Sequence, residues 1–65
     1  MSAVETYIET EVERVERWRN EELLRVGFDV ESAALIAAEP SVDLHQAIAL
    51  IERGCPPGLA ASILL

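Results

Sequence analysis

Apolar residues recur along this chain at helical spacing, and the clearest run lies in its second half. Leu44, Ala47, Ile48 and Ile51 stand at i, i+3, i+4 and i+7, which puts them on one helical face that has to be buried. Asp43 precedes the run as an N-cap, and Gln46 three residues on completes the pattern of a capping box. Gly54 can take the left-handed conformation that ends a helix, and Cys55 behind it can fold onto Leu50 in a Schellman closure. The rest of the chain is expected to pack around this segment.

Between Ala3 and Val26 there is neither Pro nor Gly, and strong helix formers dominate, so one long helix is expected there. Val4, Ile8, Val12, Val15, Leu23 and Val26 form its apolar stripe, with Tyr7 and Trp18 on the margins. Arg19 interrupts the stripe where another apolar residue is due. Glu13 with Arg17, and Glu21 with Arg25, stand at i,i+4 in the favourable order. Asn20 followed by two glutamates could cap a separate short helix, which leaves a kink or split at that point open.

Gly27-Phe28 repeats the stop signal of Gly54-Cys55. Asp29 then caps a second helix over about Val30 to Ala38, and Pro40 ends it by forcing Glu39 out of helical geometry. Ala33, Ala34, Ala37 and Ala38 give this helix a low surface for close approach, with Leu35 and Ile36 supplying volume. After the central helix, Pro56-Pro57 opens a last one over about Pro57 to Leu64, because proline is tolerated in a first turn where its missing N–H is not needed. The two glycine stops head an internal echo offset by 27 positions: Leu23 to Phe28 answers Leu50 to Cys55, and Ala33, Ala34 and Ile36 answer Ala60, Ala61 and Ile63. Two copies are too few for a solenoid and point to two similar helical corners packed on each other. The expected fold is all-α: a single domain over 1–65, with a long helix at 3–26 and a compact three-helix part at 29–65.

Composition narrows the function. At 65 residues the chain is near the lower limit for folding alone, so a protein partner or self-association into a homo-oligomer is a reasonable expectation. A 51% hydrophobic content argues for order against a net charge of −7. Twelve acidic residues against five arginines repel phosphate backbones and anionic lipid, so neither nucleic acid nor membrane is an expected partner. The uncharged run from Gly54 to Leu65 is too short to span a bilayer, and a glutamate-rich start does not read as a secretory leader, which points to synthesis in the cytoplasm.

Candidate chemistry is sparse. A lone His45 and a lone Cys55 read as a surface residue and a small apolar lock, and they do not supply the nucleophile, base and orienting group of acyl transfer. No disulfide, metal-ligand spacing or cofactor is expected, and the chain is read as a non-enzyme. Trp18 can anchor a core or an interface, and a protein this small favours the core. Ile63, Leu64 and Leu65 either close the bundle against the first helix or form a patch for a partner. Val4, Tyr7, Ile8 and Val12 offer a strip for helix pairing if the first helix projects.

Two resemblances follow from these motifs. Leu23 to Arg53, with Val26-Gly27-Phe28, the alanine-rich helix and Ala47, Leu50 and Ile51, resembles the ubiquitin-associated (UBA-like) three-helix arrangement, although Val26 stands where that family often has Met. This resemblance implies a UBA-like cytoplasmic adaptor that binds a host or cellular protein. More broadly, Trp18-Arg19, Leu23-Leu24, Gly27-Phe28, Asp43-Leu44-His45, Ala47, Gly54-Cys55-Pro56-Pro57 and Ile63-Leu64 resemble short helical proteins of actinobacteria and their tailed bacteriophages. In the phages such proteins tend to be encoded among virion structure and assembly genes. That resemblance implies a minor structural component or assembly adaptor, made in the bacterial cytoplasm and virion-associated, with a phage structural protein or a second copy as partner.

Overall fold

Four helices follow one another: α1 (Glu11–Val26), α2 (Val30–Ala37), α3 (Leu44–Glu52) and α4 (Pro57–Leu64). The computed structural model describes residues 9–65, and no strand occurs among them. A longer first helix followed by three short ones is the architecture expected from the periodicity.

The first helix begins at Glu11, not at Ala3. Thr10 is extended (φ −71°, ψ 165°) and closes a full capping box: its hydroxyl accepts from the Glu13 N–H at 3.1 Å, and the Glu13 carboxylate accepts from the Thr10 N–H at 2.9 Å. Glu11 and Glu13 in the first turn and Arg25 in the last suit the helix dipole. No break occurs at Asn20, since α1 runs unbroken to Val26. The residues expected to extend the helix and its strip, Val4, Tyr7 and Ile8 among them, lie outside the described residues.

Both glycine corners form as the sequence suggests. At the first, Gly27 (φ 124°) donates to the Leu24 carbonyl at 3.2 Å and Phe28 donates to that of Leu23 at 3.1 Å. At the second, Gly54 (φ 95°) donates to Ile51 at 2.9 Å and Cys55 to Leu50 at 3.0 Å. The two corners therefore satisfy the same pair of orphan carbonyls in the same way. Phe28 then buries its ring, while Cys55 packs against the core from a half-buried position.

Asp29 caps α2 through the Ser32 N–H at 3.1 Å. Asp43 caps α3 through the His45 N–H at 2.9 Å, one residue earlier than a box with Gln46 requires. Pro56 precedes α4 without a side-chain cap, as a proline-led start allows.

The helices pack as a ring. α1 lies on α2 and α3, and α4 lies on the same two from the other side. Leu23, Phe28, Ala33, Ile36, Ala37, Val42, Leu44, Ala47, Ala60 and Ala61 form the core, with Leu23 and Ile36 its largest fully enclosed side chains. Five members of this core, Val42, Leu44, Ala47, Ala60 and Ala61, come from the second half of the chain, and α3 itself supplies two of them. Alanines at 33, 37, 47, 60 and 61 bring the helix backbones close, which is how so short a chain encloses an interior at all. Only part of the α2 expectation holds: Ile36 fills the core, but Leu35 is exposed.

Arg19, the residue that broke the apolar stripe, joins the elements. Its Nη2 donates to the carbonyls of Ile36 at 3.2 Å, Glu39 at 3.2 Å and Val42 at 2.9 Å. The guanidinium thus sits at the negative end of α2 and reaches along the loop to Val42, just ahead of the α3 cap. Its stem lies on the same helical face as Leu23.

Candidate interaction surface

Each residue of α1 from Glu11 to Trp18 is exposed or half-buried, and the first fully enclosed one is Leu23. The face that carries Leu23 and Val26 continues backwards through Arg19 to Val15 and Val12, at helical spacing. There the enclosed core ends. Val12 is left 73% exposed and Val15 50% exposed. An apolar seam thus starts in the core and runs out into solvent.

Trp18 does not join the core: it is 52% exposed. The reason is geometric. Consecutive helical residues are about 100° apart around the axis, and Arg19 takes the inward position by reaching the α2 carbonyls, so Trp18 turns to the flank of the seam.

The α1–α2 contact is bordered by two furrows. One, of about 470 Å³, is lined by Val12, Val15 and Arg19 from α1 and by Ala37, Ala38 and Pro40 at the end of α2, with Glu11 and Glu16 beside them. The other, of about 390 Å³, is more polar and holds Arg17, Asn20 and Ala34 among its walls. Arg17 is committed to Glu9 in a two-pronged bridge, Nε and Nη2 each donating at 2.9 Å, and more loosely to Glu21 at 3.5 Å. The sequence spacing had offered Glu13 for Arg17; the Glu13 Oε1 accepts from the Thr10 N–H. Arg25 likewise pairs with Glu22, not with Glu21, which faces Arg17.

The bridge holds the Glu9 carboxyl below the usual glutamate range, chiefly through its hydrogen bonds from Arg17, and raises Arg17 in turn. Asp29 is also held low, chiefly by the backbone N–H of Ser32. Glu11 and Glu16, beside the apolar furrow, have no ion-pair partner among the described residues. Arg19 on the same wall has its Nη2 occupied.

At the other end of the molecule, the last three residues divide. Leu64 packs against the core, whereas Ile63 and Leu65 are each 58% exposed. α4 rests on α2 and α3, so this end does not close against α1. The candidate residues therefore fall on two surfaces, Val12 and Trp18 on one, Ile63 and Leu65 on the other.

No protein-family model, curated protein or solved structure matches the chain. His45 lies in the first turn of α3, and Cys55 follows the far end of that nine-residue helix by three residues. The His45 ring is almost fully exposed, 3.6 Å from the Asp43 carboxylate, and Cys55 Sγ lies 3.6 Å from the Pro56 carbonyl. The described residues hold no group of three potential metal ligands, and none of their helices is long and apolar enough to cross a membrane.

Val12 was expected on a helix-pairing strip and Trp18 in the core or an interface, with the core favoured, whereas Val15 was expected only in the apolar stripe. The furrow that Val15 helps line was not foreseen, because its far wall comes from Ala37, Ala38 and Pro40, more than twenty positions further along. A seam interrupted by one arginine was the available signal.

Proposed function

We propose that this protein is a non-enzymatic protein-binding module, a minor structural component or assembly adaptor of a tailed phage particle, docking through α1. The observation that carries the docking reading is the seam of Val12 and Val15, with Trp18 beside it, left exposed on the first half of α1. Exposed aliphatic and tryptophan side chains on a helix are the material from which interface anchors are made. The phage setting draws on the resemblance in Trp18-Arg19, Leu23-Leu24, Gly27-Phe28, Asp43 and Gly54. Several of these residues build the α1–α2 clasp, the two corners and the α3 cap, so the resemblance reaches the residues that make the fold. Ile63 and Leu65 offer a second, smaller contact at the far end.

The experiment is site-specific photo-crosslinking from position 12 or 18 in infected cells, followed by purification of particles. A crosslink to one particle protein, at fixed stoichiometry, supports the reading. Absence of any crosslink from either position overturns it.

A UBA-like cytoplasmic adaptor is the alternative, favoured by the order helix, Gly27-Phe28 corner, short alanine-rich helix, helix. Phe28 is buried, so that adaptor would have to bind without its corner ring. Crosslinks to a cytoplasmic protein alone, with none in particles, select this alternative.

A further inference from the structure

We propose that the furrow between α1 and the end of α2 receives a basic amphipathic helix of the partner protein, its aliphatic side chains on Val12 and Val15 and its Arg or Lys side chains beside Glu11 and Glu16. This rests on the docking reading above and names the chemistry of the partner.

Shape selects a helix. The furrow runs along α1 between two helical walls, and no strand edge exists among the described residues to pair an extended peptide. Its small far wall, Ala37, Ala38 and Pro40, leaves room for larger side chains at i, i+3 and i+4 spacing from the other side.

Charge selects a basic one. Glu11 and Glu16 flank the apolar floor with no cation paired to them among the described residues. The one cation on the wall, Arg19, spends its Nη2 on three backbone carbonyls, which fixes the group at the furrow's inner end and withholds that nitrogen from a ligand. Across the whole chain twelve acidic residues face five arginines, so long-range attraction steers cationic partners toward this surface. A second copy fits poorly, because a self-paired furrow would set Glu11 and Glu16 against the same carboxylates of another chain of net charge −7.

The test uses the full chain and three short synthetic helical peptides: one with leucines along one face flanked by arginines, the same peptide with glutamate for arginine, and the same with serine for leucine. Trp18, the sole tryptophan, stands three residues after Val15 and reports binding by its emission. The expected result is binding of the arginine–leucine peptide alone, weakening as salt is raised. V12S with V15S should remove it, and E11Q with E16Q should weaken it about fivefold at low ionic strength. Helix content and melting of each variant, measured in parallel, separate lost binding from lost folding.

Equal binding of the glutamate peptide, or indifference to E11Q with E16Q, overturns the proposal. So does self-association that V12S abolishes, which gives the furrow to a second copy. Peptide binding seen only after Val4, Tyr7 and Ile8 are changed to serine gives it to the chain's own first residues and overturns the proposal as well. A position-12 crosslink to an acidic or uncharged segment defeats the basic-helix proposal while leaving the docking reading intact. Absence of any crosslink defeats the docking reading itself.

Discussion

Arg19 should be the most consequential single side chain on α1 outside the core. Its Nη2 faces three carbonyls but carries two protons, so about two full charge-assisted hydrogen bonds form at once, each contributing ~1.5–3 kcal/mol. Against this stands Nε, which is buried without a partner and costs about 1–3 kcal/mol. The balance is a net contribution of about 2–3 kcal/mol, in a chain of this length whose whole stability is about 3–10 kcal/mol. R19M keeps the apolar stem and removes the donors. At about 4–8 °C per kcal/mol for so small a domain, it should lower the melting temperature by about 10–20 °C. R19K restores a charge and one donating nitrogen and should recover part of that loss. Thermal melts followed by far-ultraviolet circular dichroism decide the matter. If R19M melts within about 2 °C of the parent, the carbonyls at the α2–α3 junction are equally well served by water and the clasp contributes nothing.

Other consequences are open to measurement. G54V should destabilise the domain by at least about 1–2 kcal/mol, since φ of 95° is strained for any side chain and most of all for a β-branched one; a Cβ there meets no neighbour, so G54A isolates the backbone strain. An unchanged melting temperature for both would refute the corner. L23A empties the fully enclosed position on α1 and should cost about 2–5 kcal/mol, enough to leave much of the population unfolded at room temperature; a cooperative melt close to that of the parent would contradict the core assignment. Glu9 and Asp29 both titrate lower in the folded chain, so the stability they confer is present above their ordinary values of 4.5 and 3.8 and is lost as pH falls below them. Acid also neutralises the excess of carboxylates and relieves their repulsion, so the informative quantity is the difference between parent and variant. Melting temperatures of E9Q and D29N should fall less than the parent's between about pH 5 and 3; parallel curves would show that neither group is coupled to folding.

Most of the fold was legible because its punctuation is local. A glycine needing positive φ, an aspartate ahead of an apolar run and a proline at a helix start each act within one turn, so Gly27, Gly54, Asp29, Asp43 and Pro57 can be read without knowing what lies beside them. The Thr10 boundary was equally local, with Glu13 three residues on, but an apolar period running through Val4, Ile8 and Val12 and an unbroken set of helix formers hid it. Ion-pair partners were harder to read. Arg17 had Glu9, Glu13 and Glu21 within reach by spacing, and its two-pronged bridge goes to Glu9, which lies outside the helix and off the i,i+4 pattern. Trp18 was expected inside and is exposed, because which of two adjacent residues faces inward depends on carbonyls supplied by the far end of α2 and the loop after it. The furrow is invisible in sequence for the same reason: its walls meet only after the chain has turned at Gly27.

α1 contributes its enclosed residue, Leu23, from its second half, while its leading turns carry the exposed wall of the furrow. Arg19 sits midway along α1, gripping the junction where α2 gives way to α3. A pull on the tip at Val12 is therefore felt at the Ile36, Glu39 and Val42 carbonyls, about 10 Å along the axis. The Glu39 and Val42 amides, which close the two tight turns there, should exchange hydrogen at a different rate once the tip is loaded.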